Sequence, residues 1–343
     1  MGRLNLKTIR ANREVAASVA GPVLVGLRDR KVAGSYARLT PGPDGRIRTL
    51  LSENTASGRL SSGESPLFKD STNLQNAEKK VAKLDPLYNT RDVIVADPGM
   101  VLLAGDYVGA EAFGVAAYSK DWAYLEKLYS GVDTHTELAK FFWGDLFEKA
   151  TATERKLFRD IAKTIKYASS YVAKARTVCV NLNKESDRLG RKFTELEVAG
   201  YLQKLYTIHP LQEWWESIRI ELKRNDNVLR NCFGYRRKFH DPEHDNRLKD
   251  GSNFFPQSTV AWLMNDSLPR LYTRLHKPGV RQLLHQVHDE ALWQCKPDEV
   301  PTIVKVSQEI MQRPFKVNGR ELYIPVDFKM GDNWGAGMKE VKI

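Results

Sequence analysis

Cysteine is scarce in this chain, and long apolar runs are absent. Cys179, Cys232 and Cys295 are the only cysteines among 343 residues, and they lie far apart without a C-x-x-C pair. We therefore expect neither a disulfide framework nor a zinc ribbon, and a reducing cell interior is the default location. No run of about 18 apolar residues occurs, so the sequence predicts no transmembrane helix. Hydrophobic residues make up 42% of the chain, enough for a core.

Acidic residues are outnumbered by basic ones. The chain has 53 Lys and Arg against 42 Asp and Glu, a net charge of +11 with a pI near 9.4. Basic surfaces bind polyanions because they release the counterions condensed on a phosphate backbone. The excess favours a nucleic-acid partner, although good solubility alone would also explain it.

Two apolar segments end on acids. Residues 283–287 lead into His288-Asp289-Glu290, and residues 291–293 lead out again, which predicts a hairpin with carboxylates at its tip. The segment 101–105 ends on Asp106. Desolvating paired carboxylates costs several kcal/mol unless a cation holds them. In a basic protein, the two strand-borne aspartates suggest a divalent-metal site that acts on nucleic acid.

The remaining pattern predicts an α+β fold in which a sheet is interrupted by a helical insertion. A hairpin is expected where residues 93–96 and 101–103 flank a turn, and the region 110–222 is overwhelmingly helical. Irregular chain is expected over 236–251. A helix over 256–275, a helix near 300–312 and a closing strand over 322–328 follow.

One helical segment, 157–174, should touch phosphates. At 100° per residue its polar members fall within one arc: Arg159, Lys163, Lys166, Tyr167, Ser170 and Lys174. Tyrosines among cations would stack on bases while the cations bind phosphate oxygens. A solvated basic face over a core stripe is the open alternative.

At this point three sequence blocks, in order, resemble the motifs of family A (DNA polymerase I-like) DNA polymerases. Residues 106–111, DYVGAE, resemble D-Y-S-Q-I-E; residues 159–171 match R-x3-K-x3-[FY]-x2-3-Y; residues 286–290 reproduce Q-V-H-D-E. Residues 58–62 resemble G-R-L-S-S, 73–76 resemble N-L-Q-N, 133–135 resemble D-I-H, and 253–257 resemble N-A-P-M-Q. The resemblance covers roughly residues 50–335.

The resemblance implies a polymerase right hand, with an antiparallel-sheet palm, a large helical fingers insertion and a truncated thumb. Residues 56–118 and 252–343 would form the palm and 119–251 the fingers. Residues 1–55 would be a thumb remnant or lead-in helix.

The resemblance also implies the metal site. Asp106 and Asp289 would bind two Mg²⁺ ions, which Mn²⁺ could replace, and the Tyr107 carbonyl would complete a coordination shell. Glu290 would be an auxiliary carboxylate beside the metals. Such a pair of ions clamps the attacking and leaving oxygens of an in-line displacement.

The implied deoxynucleoside triphosphate site lies on the fingers helix. Arg159, Lys163 and His135 would bind the triphosphate, with Lys163 as proton donor to pyrophosphate. Tyr167 occupies a position where the family has Phe or Tyr, and its hydroxyl would weaken discrimination against dideoxynucleotides. Glu111 would exclude a ribose 2′-hydroxyl.

Primer-template contacts are implied for a further set of residues: Arg59, Gln75, Tyr171, Asn253, Gln257 and His288. Departures from the family pattern cluster at residues 63–80, where ten residues separate the GRLSS and NLQN elements. These departures leave the metal and triphosphate ligands intact.

We expect a DNA polymerase without 3′→5′ exonuclease, a monomer whose partners are primer-template DNA and deoxynucleoside triphosphates, with an accessory protein if it needs one. The setting would be a bacterial cytoplasm or nucleoid, a phage-infected cell or an organelle. A catalytically idle nucleic-acid-binding subunit and a two-metal nuclease are the alternatives. The nuclease would have no need for the Arg159, Lys163 and Tyr167 face.

Overall fold

A computed structural model of the chain describes residues 43–53, 55–65, 71, 73–77, 90–184, 190–335 and 337–341. Residues 1–42 of the predicted lead-in helix lie outside the described residues. None of the described helices combines the length and the apolar composition needed to cross a bilayer.

The strands within these ranges are, in chain order, β1 Leu50–Ser52, β2 Ser61–Gly63, β3 Val101–Tyr107, β4 Val228–Arg230, β5 Arg236–Lys238, β6 Arg281–Val287, β7 Glu290–Cys295, β8 Phe315–Val317, β9 Arg320–Leu322, β10 Val326–Gly331 and β11 Lys339–Glu340. The α-helices are α1 Ala110–Tyr118, α2 Trp122–Tyr129, α3 Thr134–Trp143, α4 Asp145–Lys149, α5 Ala152–Ser170, α6 Ala175–Asn183, α7 Glu195–Ile208, α8 Leu211–Arg224, α9 His244–Leu275 and α10 Val300–Met311. Single 3₁₀ turns span Leu74–Asn76, Thr90–Val93 and Pro297–Glu299.

A five-stranded antiparallel sheet carries the acidic residues. Its order is β11-β10-β3-β7-β6, and β6 and β7 form the predicted acid-tipped hairpin. Asp106 of β3 lies directly opposite Glu290 of β7 on one side and Asp327 of β10 on the other. Directly opposed residues point to the same face of a sheet. Three carboxylates therefore share one face.

The opposite face of this sheet is packed against helices. Leu103, Tyr107, Trp293 and Phe328 are buried there in one cluster with residues of α1, α9 and α10. Burying each such side chain contributes about 1.5–3 kcal/mol. The strand that ends on the Asp106-Tyr107 pair is thus anchored along its length by this core.

A helical insertion, α2 to α8, follows β3 and α1 and precedes α9. Its own core includes Phe142 and Trp143 of α3, Ile165 of α5 and Trp214 of α8. This arrangement confirms the predicted α+β plan of a sheet interrupted by a large helical subdomain.

The hairpin predicted from residues 93–96 and 101–103 is wrong. Thr90–Val93 is a 3₁₀ turn, and Val95 instead makes a bridge with Asn333. Both edges of β3 are already hydrogen bonded, to β7 and to β10. No edge of β3 is left for the preceding segment, so it pairs with the chain beyond β10.

The prediction of irregular chain over 236–251 and a helix beginning at 256 is also wrong. Residues 236–238 form β5, and α9 begins at His244 and continues through Pro256. Proline inside a helix costs about 3 kcal/mol. Burial of Leu248, Phe254 and Phe255 on the first turns of α9 outweighs that cost.

The contact between α1 and α9 depends on Gly114. A Cβ at this position would lie 2.7 Å from Pro256 Cβ and 2.9 Å from Pro256 Cα, so the two helices would have to move apart. We expect Gly114→Ala to lower the free energy of unfolding by about 1–3 kcal/mol, measured by chemical denaturation.

Gly200 in α7 is the matched control, because it is exposed and a Cβ there would meet nothing within 4 Å. Gly200→Ala should raise the free energy of unfolding by about 0.5–1 kcal/mol through helix propensity. Equal stabilisation by both substitutions would contradict the proposed close packing.

Candidate active site

Folding brings Asp106 and Asp289 together. Asp289 lies in the turn between β6 and β7, and its carbonyl accepts a hydrogen bond from the Tyr107 N–H at 3.2 Å. His288 adopts a left-handed conformation (φ 58°) in this turn, and its carbonyl accepts a bond from Gln286 Nε2 at 2.6 Å. The two acids, remote in sequence, thus lie on adjoining backbone.

The Tyr107 side chain points away from this junction. Its ring is buried in the core, and its hydroxyl donates to the Met311 carbonyl at 2.9 Å. Any role of Tyr107 at the acidic site therefore falls to its main chain, as the sequence analysis predicts.

The acidic junction has the donor set of a hard divalent cation. Burial raises the pKa of Asp289, and the nearby Arg59 opposes that rise. Among the described residues, no group of three or more His, Cys, Asp or Glu side chains is arranged to hold a metal ion. Mg²⁺ typically binds through one or two carboxylates together with substrate phosphates and water. Asp106 and Asp289 fit that mode of binding.

Glu290 is engaged inside the protein. Trp334 Nε1 donates to Glu290 Oε1 at 2.7 Å, and Arg91 forms an ion pair with the same oxygen at 3.4 Å. The Arg91 guanidinium also stacks on the Trp334 ring, 3.8 Å from its centroid. Its predicted role as an auxiliary carboxylate stays a prediction.

The sequence analysis missed Arg91, Trp334 and Asp327. No motif among those recognised includes Arg91 or Trp334, and their partnership spans more than 240 positions. Asp327 lies in the predicted closing strand, but only the register of β10 against β3 identifies it as a neighbour of Asp106. A cavity of about 510 Å³ opens over this face.

Helix α5 presents the predicted triphosphate residues. It begins with a capping box between Thr151 and Glu154 and buries Ile161 and Ile165. Lys163 and Tyr167 are exposed on the other side, with Lys163 Nζ 5.8 Å from the centroid of the Tyr167 ring.

Arg159 and His135 flank the same exposed surface. Arg159 Nε donates to Asp133 Oδ2 at 2.6 Å, and Asp133 also caps the N-terminus of α3, which carries His135. The His135 and Tyr167 rings lie 5.7 Å apart. Burial, with help from the cations Arg159 and Lys163, lowers the pKa of His135 to about 4. His135 is therefore neutral at pH 7.

The helical wheel was wrong about two members of the α5 arc. Lys166 is 5% and Ser170 6% exposed, so neither lies on the phosphate-facing surface. A helical wheel gives the direction of a side chain around the helix axis, but it cannot show which other helix packs against it. Here Tyr124 of α2 covers Lys166. Lys174 lies beyond the end of α5, where it pairs with Asp245 at 2.9 Å.

Glu111 links three elements. Its Oε1 accepts from Arg59 at 2.8 Å, and its Oε2 accepts from the Tyr171 hydroxyl. Tyr171 caps the C-terminus of α5 and Glu111 lies in the first turn of α1, so the carboxylate ties the end of α5 and the segment that carries Arg59 to the start of α1.

The other predicted DNA-contacting residues lie in different surroundings. Gln75 is buried, and its Nε2 donates to the carbonyl and side-chain oxygens of Gln286 at 3.1 and 3.2 Å. Asn253 and Gln257 are half-buried one turn apart on α9, and His288 is exposed at the hairpin tip. Contact of these residues with DNA stays a prediction.

Known DNA polymerases are similar to this chain in sequence. The model of DNA polymerase family A matches residues 28–336. The thermostable DNA polymerase I of Thermus aquaticus is 27% identical over 320 residues, which cover 89% of this chain and 35% of the relative. DNA polymerase I of Chloroflexus aurantiacus is 27% identical over 329 residues, which cover 92% of this chain and 32% of the relative. The chain thus spans about a third of the length of these curated relatives.

A solved structure has the same fold. The POL domain of Pol1 from M. smegmatis, in complex with DNA primer-template and dNTP, aligns with a TM-score of 0.70 at 19% identity. The alignment covers 96% of this chain and 56% of that chain. Because the family model matches most of the chain and the paired-aspartate site lies within the match, this chain belongs to DNA polymerase family A.

Proposed function

We propose that this chain performs template-directed DNA synthesis, adding deoxynucleotides to the 3′ end of a primer. The observation that carries the proposal is the Tyr107 N–H to Asp289 carbonyl bond, which places Asp289 beside the strand residue that follows Asp106. The exposed Lys163 and Tyr167 of α5 support it further. The named relatives are DNA polymerases, and the solved neighbour binds primer-template DNA and dNTP.

Asp106, Asp289 and the Tyr107 carbonyl would hold two Mg²⁺ ions. Bound ions would activate the primer 3′-hydroxyl and neutralise charge on the pyrophosphate leaving group. Arg91 and Trp334 hold the Glu290 carboxylate in a fixed position opposite Asp106, and the Arg91 cation offsets its charge.

Arg159, Lys163 and His135 would bind the triphosphate. The Arg159–Asp133 pair is partly exposed, and such a pair contributes less than about 1 kcal/mol, so a triphosphate can replace Asp133 as partner of Arg159. The neutral His135 can donate one hydrogen bond, and Lys163 would donate a proton to the departing pyrophosphate. Glu111 would crowd the sugar 2′ position.

The proposal also assigns primer-template contacts to a set of residues: Arg59, Gln75, Tyr171, Asn253, Gln257 and His288.

The proposal also includes synthesis without 3′→5′ proofreading. Purified protein incubated with a 3′-mismatched primer and Mg²⁺, without nucleotides, should leave that primer intact.

Asp289→Asn should abolish primer extension. Loss of this carboxylate would remove several kcal/mol of charge stabilisation from the transition state, so the rate should fall by about 10³-fold or more. Single-turnover extension of a primer-template with Mg²⁺ and the four deoxynucleotides measures this. Asp298→Asn, an exposed acid beyond the end of β7, is the control. A wild-type protein that binds primer-template without extending it would favour the idle subunit.

Glu111→Ala should relax the exclusion of ribonucleotides. The space vacated by the carboxylate admits a 2′-hydroxyl, so incorporation of ribonucleotides relative to deoxynucleotides should rise about 10- to 100-fold. Tyr171→Phe removes only the hydroxyl that donates to Glu111 and should give a smaller rise. An unchanged ratio in Glu111→Ala would contradict the proposed contact. The ratio of kcat/KM values for matched nucleotides is the measurement.

Tyr167→Phe should increase discrimination against dideoxynucleotides. The exposed Tyr167 hydroxyl lies where it could donate to a triphosphate oxygen, and a hydrogen bond to a charged group contributes about 1.5–3 kcal/mol. We expect chain termination to fall by about 10-fold or more in this variant. Equal dideoxynucleotide sensitivity in both proteins, at unchanged deoxynucleotide incorporation, would rule out this role.

A further inference from the structure

A cavity in the helical insertion lies behind the proposed triphosphate surface. Its volume is about 460 Å³, within the range of pockets that bind small molecules. Its walls come from α2, α3 and α5, with His209 at the end of α7. It shares Tyr124, His135 and Lys166 with a narrow crevice that reaches Glu111 and Tyr171. The proposed function uses only His135 among the residues in its wall.

Lys166 supplies a buried cation to this wall. Its side chain is 5% exposed, and within the described part of the chain its Nζ has no hydrogen-bond partner. The ammonium lies 4.3 Å from the centroid of the Tyr124 ring. A buried charge without a hydrogen-bonded partner is costly, and a cation–π contact offsets only part of that cost.

Asp121, the acid that acts electrostatically on Lys166, makes no hydrogen bond with it. Asp121 is itself buried; its Oδ1 accepts from the Tyr124 N–H at 3.1 Å, and its Oδ2 pairs with His209 Nδ1. Both oxygens are thus engaged at the start of α2 and with His209. Asp121 acts on Lys166 through space, without a direct hydrogen bond.

A second polar atom in the same wall lacks a partner. His135 Nδ1 is buried and, among the described residues, makes no hydrogen bond. Lys166 and His135 act electrostatically on one another. Two neighbouring groups that can donate hydrogen bonds, one of them cationic, meet the requirement of an oxyanion.

The remaining walls match a small phosphorylated ligand. Phe141 and Leu138 of α3 and Ile208 of α7 provide apolar surface. Lys127 and Lys140 are exposed at the rim, where Lys140 pairs with Glu137 at 3.1 Å. The volume suits inorganic pyrophosphate or a mononucleotide. The shared chemistry of these ligands is a phosphate group.

We propose that this cavity is a second anion site, in which Lys166 and His135 bind the phosphate of pyrophosphate or of a mononucleotide. The site shares His135 with the proposed triphosphate surface, but its cation Lys166 is buried away from Arg159 and Lys163, so it would take a phosphate independently of DNA. Because a neutral imidazole has a single N–H, His135 would serve one of the two ligands at a time. A phosphate bound there would contact α5 on its buried side, at Lys166, which immediately precedes Tyr167.

Titration of Lys166 provides a second signature. Burial lowers the pKa of Lys166 to about 7, and Asp121 opposes that shift. The titratable groups that face the cavity are Asp121 and His209, Tyr124 and Lys127 of α2, and His135, Glu137 and Lys140 of α3. A bound anion would raise the pKa of Lys166 again. Binding at pH 8 should therefore take up as much as about one proton.

The test is calorimetric titration of the full chain, without DNA or divalent metal. The Arg159→Ala/Lys163→Ala double variant removes the exposed phosphate ligands, so any remaining binding reports the cavity. We expect this double variant to bind one pyrophosphate, and addition of Lys166→Met to weaken that binding at least tenfold. Heats measured at pH 8 in buffers of different ionisation enthalpy should reveal proton uptake that Lys166→Met abolishes.

Deoxyadenosine monophosphate in place of pyrophosphate distinguishes the two sources of phosphate. Tighter binding of the nucleotide identifies it as the ligand, and tighter binding of pyrophosphate identifies the inorganic anion. No binding of either to the double variant, or equal binding with Lys166→Met, would overturn the proposal. These readouts need no polymerase activity, so a failure of the proposed function would not affect them.

A second variant guards against misfolding. Lys166→Met replaces a desolvated cation by an apolar side chain of similar length, so its Tm should not fall. Ala123→Trp fills the cavity from its exposed rim without altering α5. It should block binding to the same extent as Lys166→Met. If Lys166→Met does not fold, retention of pyrophosphate binding by Ala123→Trp in the double-variant background overturns the proposal.

Discussion

The register of β3 between β7 and β10 is the constraint on which the site depends. Side chains alternate along a strand, so a slip of one residue would turn Asp106 into the core and Gly105 toward the cleft. Packing opposes that slip: a Cβ at position 105 would lie 2.7 Å from Phe328 Cε1, so any larger residue there would have to displace the buried Phe328 ring. The Tyr107 to Asp289 hydrogen bond then fixes the hairpin tip to the same frame.

The carboxylates of the site differ in their surroundings. Glu290 is enclosed by Arg91 and Trp334, so its charge is compensated inside the protein. Asp106 and Asp289 are half-buried at the mouth of the cleft, where a cation from solution can reach them. Burial disfavours the ionised form of Asp289 and so raises its pKa. A positive charge close to the carboxylate would favour the ionised form again. Arg59 supplies part of that positive charge, and a bound divalent ion would supply more.

The sequence predicts what is encoded locally or by ordered motifs. The apolar runs around Asp289 predicted its hairpin, and the family motifs predicted its meeting with Asp106, which no spacing could supply. Residues 93–96 were misread because their pattern allows a strand but cannot say that both edges of β3 are occupied. Similarly, Pro256 taken alone suggests the start of a helix. In the structure the helix begins before Pro256 and continues through it, because burial of Phe254 and Phe255 stabilises the preceding turns.

The burial of Lys166 could not be predicted from the sequence pattern. A helical wheel places Lys163 and Lys166 about 60° apart within one polar arc. Lys163 is nevertheless exposed, whereas Lys166 is covered by Tyr124. The two cations therefore differ in physics, since water and salt screen an exposed charge but hardly screen a buried one. An exposed cation can exchange triphosphates rapidly, whereas a desolvated one gains most from a partner that stays. Under the proposed function, helix α5 would make transient phosphate contacts on its outer side. On its inner side it carries Lys166, whose Nζ has no hydrogen-bonded partner among the described residues.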